Sequence, residues 1–370
     1  MPGVRAWNLE SIDMYPVFGA DGSGMNDTSF LRLFIVLTLL ALASPARAQS
    51  TGLREHVGFD GYSPLAKTTT LFGRTMSPLW AQQALDAYAA KGEAPPNYTI
   101  DLGKESYSVY VPEAAPPERG YGLLVFVPPW PNAAVPRSWR GVLDEHGVIF
   151  ATAANSGNEA PEIPRRMALA LHEYANVSRQ FHVDPDRVYV GGFSGGGRVA
   201  LRLALGYPDV FRGALIDGAG DDIGSFLVPL PEATLLQRVQ ERSRLVYMHG
   251  TEDEPNAMRV RYSMASAREL CIFDATKLSI YRRGHEPADA VTWGRGLGLL
   301  EQPAVEPSKE LGECRARVDA EVAAGIAHVR ELFAHGNASD ARKALAALDA
   351  RFAHLAAPAT LELSKQLPPR

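Results

Sequence analysis

The chain has 370 residues, 46% of them hydrophobic and 21% charged, so it can bury one large core and is neither disordered nor fibrous. Its formal net charge of -5 supplies no basic field, which argues against nucleic acid or an anionic membrane surface as a partner. A small molecule or a neutral polymer is the natural kind of substrate.

The first predicted element is a leader. From Met25 the chain reads MNDTSFLRLFIVLTLLALASPARAQS. Arg32, an apolar run over 33–43 and the triplet Ala46-Arg47-Ala48 form the pattern of an export signal cleaved after Ala48. The run is shorter than the ~20 residues a spanning helix needs. An export signal is therefore expected rather than a membrane anchor, leaving a periplasmic or secreted protein that is not inserted in the membrane. Residues 1–24 make an acidic, overlong preamble, so Met25 is the expected start. No cysteine stands directly after the apolar run, which speaks against a lipid anchor.

Residues 49–96 read as a packing arm with one helix in SPLWAQQALDAYAAKGEAPP, where Ser77 can cap, Pro78 fits the first turn, and Gly92 with Pro95-Pro96 ends it. Next, YTIDL (98–102) and SYSVYVP (106–112) alternate across Gly103-Lys104-Glu105 and predict a strand pair. Short apolar runs of buried-strand type follow: YGLLVFVPP, GVIFATAA, RVYVGG, RGALIDG, RLVYMHG and KLSIYRRG. Helical stretches over 165–181, 197–206 and 260–270 fall among them. Strands alternating with helices predict an α/β domain over 97–301, a mostly parallel sheet with helices on both faces. In such sheets, ligands sit at the carboxyl ends of the strands. Beyond 301 the composition turns to Ala, Glu, Leu, Arg and Lys. Two amphipathic helices, 308–335 and 339–356, broken at Gly336-Asn337, predict a helical hairpin over 302–370. Cys271 and Cys314, the two cysteines of the chain, can tie that extension to the main domain if geometry allows. Two cysteines cannot make a structural zinc site, and neither a metal nor an organic cofactor is expected.

The glycine cluster in RVYVGGFSGGGRVALRLAL admits three readings. A phosphate loop needs a Lys after its glycines, whereas this chain has Arg198-Val199. A dinucleotide fingerprint matches Gly195-Gly196-Gly197-Arg198-Val199-Ala200, with Asp217 at a workable distance, but it should open directly after the first strand of such a unit, and two buried-type strands come earlier. The third reading is the nucleophile elbow, Gly-x-Ser-x-Gly, in which small neighbours let a serine occupy a sharp strand-to-helix turn. The chain order favours it, because an acid and then a histidine should follow, each after its own strand. RLVYMHGTEDE presents Asp253, and KLSIYRRGHEPADA presents His285. Asp253 has competitors: it can instead cap the following helix, and Glu252, Glu254, Asp217, Asp221 or Asp222 can replace it as the acid. His249 lies within a strand-end turn and reads as structural. His172 and His182 precede the serine, the wrong order for this arrangement.

VDPDRVYVGGFSGGGRVALRLALGYPDVFRGAL, VYMHGTED and RRGHEP together resemble the α/β-hydrolase superfamily, and within it serine esterases of the polyhydroxybutyrate depolymerase and feruloyl esterase type. The resemblance covers about 98–300 and not the C-terminal helices. It implies Ser194 as nucleophile, Asp253 as acid and His285 as base, acting on a small or oligomeric ester. Relatives show a His-Gly turn after the early strand, where one main-chain N–H helps to hold the oxyanion. This chain has Pro128-Pro129-Trp130-Pro131-Asn132, and prolines carry no N–H. From that loop only Trp130, or in second place Asn132, can donate, so Gly195 and Trp130 are the expected oxyanion donors. A noncatalytic binding or scaffold protein on the same fold is the competing expectation, motivated by those prolines. Trp130, Trp139 and Trp293 can line an apolar pocket or fill the core.

Overall fold

The computed structural model describes residues 50–304 and 306–367. The leader, with its start at Met25 and cleavage after Ala48, lies outside the described residues. Among these, no helix is long and apolar enough to cross a membrane.

In chain order, β1 (Gly52–Gly58) is followed by the helices α1 (Thr68–Thr75) and α2 (Pro78–Ala89), and then by β2 (Ser106–Val111) and β3 (Tyr121–Val127). The helix α3 (Arg140–His146), β4 (Val148–Ala153), α4 (Ala168–Gln180), β5 (Val183–Phe193) and α5 (Gly195–Gly206) complete the first half. Then come β6 (Gly213–Asp217), α6 (Ala233–Arg242), β7 (Arg244–Gly250), α7 (Glu254–Glu269), β8 (Ala275–Ile280) and α8 (Ala290–Leu300). The chain closes with α9 (Lys309–Ala334), α10 (Ala338–Phe352) and α11 (Ala359–Gln366).

The strands make one sheet in the order β1-β2-β4-β3-β5-β6-β7-β8. β2 is antiparallel to both β1 and β4, and every pairing from β4 to β8 is parallel. β3, β4, β6 and β7 are buried along their whole length, as apolar runs in a two-sided parallel sheet must be. Along β3 the side chains alternate between two cores. Leu123, Val125 and Val127 join the larger one with Leu169 of α4 and Leu203 of α5. Leu124 and Phe126 join the smaller one with Leu143 of α3 and Leu297 of α8. The chain runs from β3 outward to β4 and returns past β3 to β5, so the order reverses between β3 and β5. Such a switch point opens a crevice at the strand ends.

Two predictions fail in the N-terminal region. YTIDL is no strand: Tyr98 makes a single bridge to Lys67, and the Asp101 side chain accepts from the Gly103 N–H, bending 102–104 into a 3-10 turn. The true partner of β2 is β1, from the segment read as a helical arm. Three other boundaries move. A π-turn, Glu162–Met167, precedes α4, α7 begins six residues earlier than the pattern of 260–270 indicated, and α11 adds a helix to the expected C-terminal hairpin. Cys271 and Cys314 are joined by a disulfide, with Cα atoms 5.8 Å apart, which fastens α9 to the end of α7.

Candidate active site

Ser194 stands between the last residue of β5 and the first of α5, with φ 54° and ψ -122°, a region that non-glycine residues avoid and that carries strain. Its neighbours must be bare. A Cβ on Gly192 would come 2.3 Å from the Gly196 main chain, and one on Gly196 would come 1.8 Å from the Val127 carbonyl at the end of β3. The Ser194 N–H donates to the Asp217 carbonyl at 2.8 Å, fixing the turn to the end of β6.

The ends of β7 and β8 bring the other two residues in. The Thr251 N–H donates to the Ile280 carbonyl at 2.9 Å and the Glu252 N–H to the Arg283 carbonyl at 2.8 Å, so the loops after these strands are laced together. Asp253 stands just before α7 and is buried, whereas the His285 side chain is 41% exposed. His285 Nδ1 lies 2.6 Å from Asp253 Oδ2, and His285 Nε2 lies 2.9 Å from Ser194 Oγ. A carboxylate only accepts hydrogen bonds, so Nδ1 carries the proton and Nε2 is left to accept from the serine hydroxyl. The Phe193 ring backs the imidazole with centroids 4.8 Å apart. Sequence reasoning missed Asn256, whose Nδ2 donates to both Asp253 oxygens at 2.9 Å. The signal was its position three residues after Asp253, which one helical turn brings back to the same place.

The competitors fall elsewhere. The capping alternative for Asp253 does not hold: it stands just before α7, but its side chain makes no capping hydrogen bond and faces His285 and Asn256 instead. Asp217 is fully buried, its Oδ2 accepting from the Ala288 N–H at 2.7 Å. Asp221 pairs with Arg198 at 2.8 Å. His249 bonds Gly250 and Ser279. His172 is buried, its Nδ1 accepts from the Ser63 N–H, and burial drives its pKa down to about 4. Trp139 and Trp293 fill the smaller core, their ring centroids 4.4 Å apart.

A cleft of about 570 Å³ opens over Ser194, lined also by Gly195, His285, Asn158, Arg166 and Arg198. Gly195 is the first residue of α5, where main-chain N–H groups are free and the helix dipole favours negative charge. Trp130 lies half-buried in the turn after β3, its ring centroid 6.4 Å from that of Phe193. Neither the Gly195 nor the Trp130 main-chain N–H has an acceptor among the described residues. Arg166, also missed in the sequence, braces the proline turn: its Nη2 donates to the Pro128 carbonyl and its Nε to the Ser156 carbonyl, both at 2.9 Å.

No protein-family model and no curated protein matches the sequence. Among solved structures, the chain is similar to an S-formylglutathione hydrolase from Staphylococcus aureus, at 15% identity and a TM-score of 0.41, over 53% of this chain and 92% of that one. It is similar to a ferulic acid esterase at 14% identity and a TM-score of 0.40, over 52% and 88%. A thermostable esterase matches at 16% identity and a TM-score of 0.37 over 52% of this chain, which spans only 56% of that protein's length. In its strand order and in the strand-turn-helix that carries Ser194, the chain has the α/β-hydrolase fold.

Proposed function

We propose that the protein is a serine-dependent carboxylic ester hydrolase working through an acyl-enzyme. The observation that carries this reading is the unbroken chain of contacts from Ser194 Oγ through the His285 ring to Asp253. As Oγ bonds to the carbonyl carbon, His285 Nε2 takes the hydroxyl proton, and Asp253 orients and stabilises the imidazolium. The carbonyl oxygen becomes an oxyanion, held by the Gly195 and Trp130 N–H groups. When the tetrahedral carbon collapses, the bond to the alcohol oxygen breaks, and His285 returns the proton to that oxygen. Water then repeats the cycle on the acyl-Ser194 ester and releases the acid. No metal or organic cofactor is needed for these steps. The substrate is a small or oligomeric ester. Export through the leader belongs to the same reading, and the Cys271–Cys314 bridge fits the oxidising compartments where disulfides persist.

Hydrolysis of short-chain p-nitrophenyl esters tests the reading. The wild type should turn over, and Ser194→Ala and His285→Ala should each lose on the order of a million-fold in kcat. An inert wild type, or a Ser194→Ala variant with undiminished turnover, would sink it; the first result would favour the noncatalytic scaffold.

A further inference from the structure

The cleft over Ser194 is cationic in a protein whose net charge is negative. Arg166, Arg198 and Arg259 line it, and Glu162 is the carboxylate among them. Behind them Arg202 and Asp221 complete the cluster. Arg198 contacts Asp221 at 2.8 Å and Glu162 at 3.6 Å, while Arg202 is paired with Glu162 and lies 3.9 Å from Asp221. Arg259 reaches Asp221 only at 3.8 Å, and its side chain is 57% exposed. Arg198, Arg202 and Arg259 thus share two carboxylates, while Arg166 contacts neither. Arg166 is the least compensated. It is 1% exposed, no carboxylate lies within 4.0 Å of it among the described residues, and its hydrogen bonds go to two carbonyls and the Asn158 side chain. A buried cation without a counter-ion is costly. Burial first of all, and the nearby Arg198 and Arg202, bring its pKa down to about 10 against the pull of Glu162 and Glu159. Its Nη1 lies 3.2 Å from where a Cβ on Gly195 would be, beside the serine itself.

We infer that the cleft selects esters that carry a carboxylate of their own, on the acyl or the alcohol side, with Arg259 and Arg198 binding it and Arg166 supplying uncompensated charge at the Gly195 end. Guanidinium groups suit this task because their planar donors match a carboxylate. The inference rests on the esterase reading and names the substrate class of the same site.

Two matched pairs test it: monomethyl glutarate against methyl glutaramate for the acyl side, and 4-acetoxybutanoate against 4-acetoxybutanamide for the alcohol side. In at least one pair the carboxylate should be preferred about tenfold or more in kcat/KM, as charged hydrogen bonds imply. Arg259→Gln should abolish most of that preference and Arg259→Lys should keep part of it. Raising salt from about 0.05 to about 0.5 M should narrow it. No preference in either pair, or one unchanged in Arg259→Gln, overturns the inference. If no ester is cleaved at all, the esterase reading fails separately. Calorimetric titration of glutarate into the wild type and Arg259→Gln then decides the carboxylate site, with about tenfold weaker binding expected in the variant and equal binding overturning it.

Discussion

Asp217 shows how one residue couples the two halves of the site. Its carbonyl accepts from the Ser194 N–H, and its carboxyl accepts from the Ala288 N–H, three residues beyond His285. The second carboxyl oxygen is buried without a hydrogen-bond partner among the described residues. Burial, ahead of the negative Asp253 and Asp289, raises its pKa from 3.8 to about 8 despite the opposing Ala288 bond. The folded protein therefore keeps a proton that the unfolded chain releases near pH 4, so this residue's contribution to stability falls as pH rises from about 4 to about 8 and is flat above. Asp217→Asn keeps an acceptor for Ala288 and removes the titration. The urea midpoint of the variant, relative to wild type, should climb between pH 5 and pH 8, whereas a gap independent of pH would contradict the assignment. At this scale the sequence was readable only in part. Ser194, Asp253 and His285 announce themselves because each follows an apolar strand and a small residue or tight turn. Arg166 and Asn158 act from the connection before α4, and no local pattern marks an arginine whose partners are main-chain carbonyls.

Among the elements, the parallel strands were legible because strands buried on both faces read as unbroken apolar runs. β1 was not. Its sequence GLREHVG is polar and half exposed at the sheet edge, and its register with β2 shifts between Arg54 and Val57, so the period-2 signal is lost. The C-terminal helices gain their attachment from the body of the protein. Beside the disulfide, Arg317 donates to the Glu269 carbonyl, and Arg315 pairs with Glu241 of α6. Cys271 and Cys314 close a loop with a sequence separation of 43, for which a bridge contributes about 2–4 kcal/mol. The double variant Cys271→Ser/Cys314→Ser should lose roughly that much stability in chemical denaturation while still hydrolysing ester. An unchanged midpoint would show that packing alone holds α9.

On the scale of the whole molecule, the candidate site lies where the sheet changes direction. The ends of β3 and β5 flank the crevice, β5 supplies the serine turn, and β7 and β8 lead into the loops with Asp253 and His285. The order serine, acid, histidine along the chain marks this arrangement in the sequence. The local charge was hidden from composition, because a total of -5 averages over a cleft that gathers several arginines at one sheet end. The central claim is that Ser194 is a nucleophile activated by His285. Its most direct test is mapping the adduct of a fluorophosphonate probe on the intact protein by peptide mass spectrometry. The account predicts one adduct, on Ser194, absent in Ser194→Ala and formed far more slowly in His285→Ala. An unlabelled Ser194, or labelling as fast without His285, would contradict it.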